Sequence, residues 1–80
     1  MTVTVLLFAS YADALGTRSL SLDVAAGTTV RDVVAHVRAL PGADRLPSQP
    51  LVAVNEAYAK IDRVLGAGDE VAIIPPVAGG

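Results

Sequence analysis

What most limits how this chain can fold is that it carries one sustained helical stripe among several strand-like runs. Val30, Val33, Val34 and Val37 recur at helical spacing, while Arg31, Asp32, His36 and Arg38 fall on the other side. A helix with one apolar stripe buries it against one partner, so the remaining segments have to supply a sheet for it to lie on. Its valines lower helix propensity, which makes this helix dependent on docking. Thr29, with Asp32 three residues on, has the pattern of a capping box at its start, and Pro41-Gly42 end it.

The other segments read as strands and turns. Thr2 to Phe8 is alternating and then continuously apolar, as suits a central strand covered on both faces near its end. Ser10 to Leu15 reads as one or two helical turns, with Ser10 as cap and Gly16 at the stop. In Arg18 to Val24, Leu20, Leu22 and Val24 alternate with Ser19, Ser21 and Asp23, the pattern of a half-buried strand. Gly42 to Pro50 has no periodicity and reads as a surface loop. Leu51 to Val54 is a short strand, Asn55 to Ala57 a turn, Tyr58 to Ile61 a returning edge strand and Asp62 to Leu65 a helical turn. Gly66 to Gly68 turns the chain into a second buried strand, Glu70 to Ile74. Two early strands, a crossing helix and a late buried strand suit an α+β fold of the β-grasp type, a mixed sheet with one main helix on one face.

Composition narrows the function. At 80 residues the chain makes one small domain, and 52% hydrophobic against 18% charged residues argues for a packed interior. With a net charge of -2 and its basic residues scattered from Arg18 to Arg63, no stripe is available to neutralise phosphates, so nucleic acid is not an expected partner. The sequence contains no cysteine, which excludes disulfides and thiolate chemistry. The apolar run Val5 to Ala9 is far short of the roughly 20 residues of a membrane span. A soluble, cytoplasmic protein without membrane contact is expected.

The C-terminus breaks the pattern. After Ile74 the chain runs Pro75-Pro76-Val77-Ala78-Gly79-Gly80. The prolines cannot donate to a sheet and stiffen an extended exit, so residues 1–74 read as the folded domain and 75–80 as a flexible tail with a reach of roughly 20 Å. Gly79 and Gly80 have no side chains and fit a channel too narrow for other residues. The terminal carboxyl titrates near 3.5 in its ordinary state, so at neutral pH it is a carboxylate, a poor electrophile that has to be activated from outside. This chain holds no phosphate loop, so activation would fall to a separate ATP-using enzyme.

These features resemble the molybdopterin synthase small subunits (MoaD) within the MoaD/ThiS group of ubiquitin-like sulfur carriers. The resemblance rests on Leu7-Phe8-Ala9 with the short helix to Leu15-Gly16, on Val54-Asn55, on Leu65 through Gly68-Asp69-Glu70-Val71, and on Pro75 to Gly80. It implies that an adenylyltransferase of the ubiquitin-activating type uses ATP to adenylate Gly80, and that a sulfur-donating enzyme then converts it to a thiocarboxylate. It also implies that Pro75, Pro76, Val77, Ala78 and Gly79 insert into the large synthase subunit, in a heterotetramer, and that sulfur passes to a pyranopterin precursor of the molybdenum cofactor. No bound cofactor or metal is expected on the chain itself. Phe8, Ile73 and Ile74 are the expected partner contacts. The family's usual aromatic residue before the prolines is replaced by isoleucine here, and Ala12 and Asp13 stand where the first helix often carries arginine.

Other readings stay open. The same tip serves carriers for thiamine or tRNA thiolation, and a Gly-Gly end also suits a ubiquitin-like modifier, although Lys60 is the only lysine. Phe8 by itself reads first as a core residue. His36 reads as solvated, because one imidazole without neighbouring ligands does not hold zinc. Gly66-Ala67-Gly68 precedes a strand and reads as a turn rather than a nucleotide loop. Asp69 and Glu70 read as solvated, with a role in meeting the activating enzyme as the alternative.

Overall fold

The computed structural model describes residues 1–47 and 49–75. Its elements are β1 (Thr2–Leu7), α1 (Ala9–Leu15), β2 (Ser19–Asp23), α2 (Val30–Arg38), a 3₁₀ turn (Ala43–Arg45), β3 (Leu51–Val54), β4 (Ala57–Tyr58) and β5 (Glu70–Ile74). The strands form one mixed sheet in the order β2-β1-β5-β3-β4, with β1 and β5 parallel and the other pairs antiparallel. This is the expected β-grasp arrangement.

The period of two in each strand sorts side chains between two faces. Val3, Val5 and Leu7 of β1, Val52 and Val54 of β3, and Val71 and Ile73 of β5 point inward and are buried. The stripe Val30, Val33, Val34 and Val37 of α2 covers that face, and Tyr11, Leu46 and Leu65 close the edges of the same cluster. On the other face no helix among the described residues lies over Leu6, Ala72 and Ala53, which are cross-strand neighbours in the register.

The capping box forms as expected. Thr29 Oγ1 accepts from the Asp32 N–H at 3.4 Å, and Asp32 Oδ2 accepts from the Thr29 N–H at 3.0 Å. Such a cap contributes about 1 kcal/mol.

Four local expectations are corrected. Ser10 lies inside α1 and caps nothing; the N-cap is Phe8, whose carbonyl accepts from Tyr11 N at 3.0 Å. Ala9, the first helical residue, has φ of 48°, so the chain swings sharply out of β1 there. Gly16 does end α1 in a left-handed conformation.

The stretch 42–50 is more than a loop, because Ala43 and Leu46 are buried. Their spacing of three matches the 3₁₀ turn, and Gly42 with φ of 88° brings that turn onto the Ala14 carbonyl of α1.

The edge strand expected over Tyr58 to Ile61 is shorter. Its β-pairing covers Ala57–Tyr58, followed by one bond from Ala59 N to the Val52 carbonyl at 3.0 Å.

Asp62 to Leu65 makes no helical turn. The carbonyls of Ile61 and Arg63 accept from Arg31 N and Val30 N at 2.8 and 3.0 Å, and Val64 bridges to Thr29. These two carbonyls satisfy free amides at the start of α2, and the turn lies two residues earlier than expected, with Arg63 N donating to the Lys60 carbonyl at 3.1 Å.

Candidate functional site

The site is the place where β5 hands over to the tail. β5 is the middle strand, and its last residues are gripped from both sides: Ile73 pairs with Leu7 of β1, and Ile74 with Leu51 of β3. Both neighbours stop at that level. β1 turns into α1 at Phe8, and β3 only begins at Leu51. The tail therefore leaves from the centre of one sheet end rather than from an edge strand.

The rim of that exit is apolar. Phe8 is 46% exposed and Leu51 49%, while Ile74 and Pro75 are half-buried between them. Phe8 is thus a surface residue and not the core residue its type suggests. Ile73, by contrast, is 0% exposed and points into the core, which removes it from any direct partner contact. The apolar strip continues across the outer sheet face through the half-buried Leu6 and Ala72 and the buried Ala53 to Tyr58, 74% exposed. Beside Phe8 a groove of about 430 Å³ runs between the end of β1 and α1, with Asp13 and Arg18 on its walls. Large exposed apolar groups gathered on one end of so small a domain mark a contact surface.

Of the sequence-chosen residues, the structure brings Phe8, Ile74 and Pro75 together. Pro76, Val77, Ala78, Gly79 and Gly80 lie outside the described residues. Leu51, Leu6 and Tyr58 were missed, although the alternation in each strand would have placed them on the outer face once β5 was phased on Val71 and Ile73. His36 is exposed on α2, as expected. Among the described residues no group of three or more His, Asp or Glu side chains is placed to hold a metal ion.

At the other end of β5, Asp69 is not simply solvated. Its Oδ1 accepts from Asn55 Nδ2 at 2.9 Å and its Oδ2 from Gly66 N at 2.7 Å, while Asn55 Oδ1 accepts from Glu70 N at 3.0 Å. The Gly66 N–H first, then the Asn55 amide, with the Arg63 charge adding, hold the Asp69 carboxyl below its ordinary range against the opposing effect of desolvation. Asn55 and Glu56 have φ of 50° and 73°, the pattern of the tight hairpin turn that joins β3 to β4.

Residues 5–80 match the model of the ThiS family, and that span includes both the sheet end and the Gly-Gly terminus. The chain belongs to the ThiS family. This ThiS-family chain is 33% identical over 79 residues to the molybdopterin synthase sulfur carrier subunit of Arabidopsis thaliana, covering 98% of itself and 82% of the plant chain. Its fold superposes on the H. volcanii small archaeal modifier protein 1 with a TM-score of 0.82 at 29% identity, over 95% of this chain and 98% of the other. The same fold occurs in a chain of the complex of subunits 1 and 2 of the molybdopterin-converting factor from Helicobacter pylori, at 20% identity and a TM-score of 0.74 over the full length of both chains. No helix among the described residues is long and apolar enough to cross a membrane.

Proposed function

We infer that this chain is the sulfur carrier of a molybdopterin synthase and that Gly80 is its working group. The observation that carries this is the exit itself: a central strand that ends between two stopping neighbours, ringed by Phe8, Leu51 and Ile74, and followed by a tail whose last two residues are glycine.

The chemistry follows from the carboxylate. One oxygen of Gly80 attacks the α-phosphate of ATP on an activating enzyme, and pyrophosphate leaves. The resulting acyl-adenylate has a carbonyl carbon that a sulfur nucleophile attacks, with AMP as leaving group, to give the thiocarboxylate. Its sulfur forms a bond to a carbon of a pyranopterin precursor, and water then attacks the acyl carbon, breaks its bond to that sulfur and restores the carboxylate. This chain's own contribution is positional. The apolar rim docks on the large synthase subunit, and the side-chain-free tip reaches a buried site there. ATP is consumed by the activating enzyme, a third protein donates the sulfur, and the cycle runs in the cytoplasm.

A test is molybdopterin formation by the purified large subunit supplied with thiocarboxylated carrier. Full-length carrier is expected to support product, and carrier lacking Gly80 to bind the large subunit but yield none. Product from the truncated carrier would refute the proposal.

One observation favours a second reading. The likeness to an archaeal modifier protein suits a chain that is itself joined to amines of other proteins through Gly80. Isopeptide conjugates of the tagged chain in its own cells, lost on removal of Gly80, would support it.

A further inference from the structure

β2 lies at one end of the sheet order, with β1 on one side and an open edge on the other. Residues of an antiparallel strand turn their backbone N–H and C=O alternately to the two sides. Arg18 and Val24 turn theirs to β1: the Arg18 carbonyl accepts from Leu7 N at 2.9 Å, and Val24 N donates to the Met1 carbonyl at 2.7 Å. Ser19, Ser21 and Asp23 therefore turn theirs to the open edge, which makes that edge a template for another strand. Its first position is filled from within the chain. The Thr17 Oγ1 hydroxyl donates to the Ser19 carbonyl at 2.9 Å and accepts from the Ser19 N–H at 3.4 Å. In an antiparallel pair those two groups would bond to the N–H and C=O of one facing residue, so the hydroxyl sits where that residue would lie. Among the described residues no loop or side-chain bond reaches the outward backbone groups of Ser21 or Asp23.

The strand that fits this edge is β2 of a second copy of the chain. With the two strands antiparallel about Ser21, that residue faces its counterpart, and each Ser19 faces Asp23 of the other copy. Leu20 then meets Leu22 of the other copy on the core side, where both are only half-buried in the single chain. Such a ladder has three facing pairs with two bonds each, and the two pairs that contain Ser19 hold four of the six. Thr17 withholds those four. A register shifted to avoid Ser19 keeps two facing pairs and makes the Asp23 carboxylates diagonal neighbours, which repel. We propose that the Thr17 hydroxyl plugs the β2 edge and keeps a second copy of this chain from adding to it as a strand.

The test is sedimentation of the full chain over a range of concentrations. Thr17→Val keeps the side-chain shape without the hydroxyl, and is expected to dimerise with a dissociation constant at least about tenfold below the parent's. Thr17→Ala carries the same expectation, so the result does not depend on the valine side chain. Thr17→Ser keeps the hydroxyl and is expected to behave as the parent does. Adding Ser21→Pro to Thr17→Val removes an outward N–H and leaves the bonds to β1 in place, and is expected to restore the monomer. In the Thr17→Val dimer the Ser21 amide should exchange at least about tenfold more slowly than in the parent. Variants without the hydroxyl that associate no more than the parent, or a dimer that survives Ser21→Pro, would overturn the proposal.

Discussion

The Asn55 side-chain amide donates to the Asp69 carboxylate at 2.9 Å, tying the β3–β4 turn to the start of β5 at the end of the sheet opposite the tail. Because the folded carboxyl is held below its ordinary range, the clamp stabilises the fold above that range. The contribution is lost as pH falls through the depressed folded value. Asp69→Asn is therefore expected to lower the thermal midpoint near neutral pH, with the gap to the parent closing in acid. Melting curves of both proteins across pH check this, and a gap that is constant with pH would contradict it.

Gly42 tests the packing of the 3₁₀ turn on α1. A methyl group there meets both a φ of 88° and the Ala14 carbonyl, whereas at Gly27, with φ of 90°, it meets open space. Gly27→Ala should cost about 1 kcal/mol through backbone conformation alone. Gly42→Ala should cost about 2–4 kcal/mol, because the turn has to move as well. Urea unfolding of the two variants gives the comparison.

Glu56 occupies a left-handed position that glycine takes without strain. Glu56→Gly is expected to stabilise the protein by about 0.5–1 kcal/mol, because the hairpin turn gains its preferred residue at the second position. A loss of stability by the same measurement would show that the Glu56 side chain contributes more than its backbone costs.

Ile73 and Ile74 are adjacent but face opposite ways, so their substitutions should separate. Ile73→Ala leaves a hole among β1, β3 and α2 and should cost about 2–4 kcal/mol of stability. Ile74→Asp puts an unpaired charge on the tail-root rim, and should weaken binding to the large subunit at least about tenfold while the fold persists. Phe8→Asp should act in the same way. Calorimetric titration beside thermal melting reads both effects, and unchanged affinity for Ile74→Asp would remove the rim from the interface.

Much of the fold was legible because its elements follow simple periods. The α2 stripe and its Thr29–Asp32 cap, the alternation of β2 and the stop at Gly16 all depend on residues a few positions apart. What escaped depends on distant partners. Asp69 looks solvated until the chain brings Asn55 beside it, 14 positions away. Asp62 to Leu65 looks like a helical turn until α2 presents amides that take the Ile61 and Arg63 carbonyls. Ala43 and Leu46 were hidden among prolines and glycine, which punctuate a segment without revealing what it covers. At the site, the tail was plain from composition. Which of two neighbouring isoleucines faces outward required the phase of β5, and the exposure of Phe8 required the sharp swing at Ala9.

If Gly80 carries sulfur, the intact mass of the protein records it. After incubation with ATP, a sulfur source and the activating enzyme of its own cell, the protein is expected to gain the mass difference of one oxygen replaced by sulfur. The gain should be absent from a protein lacking Gly80. An unchanged mass, under conditions in which a proven carrier is converted, would contradict it.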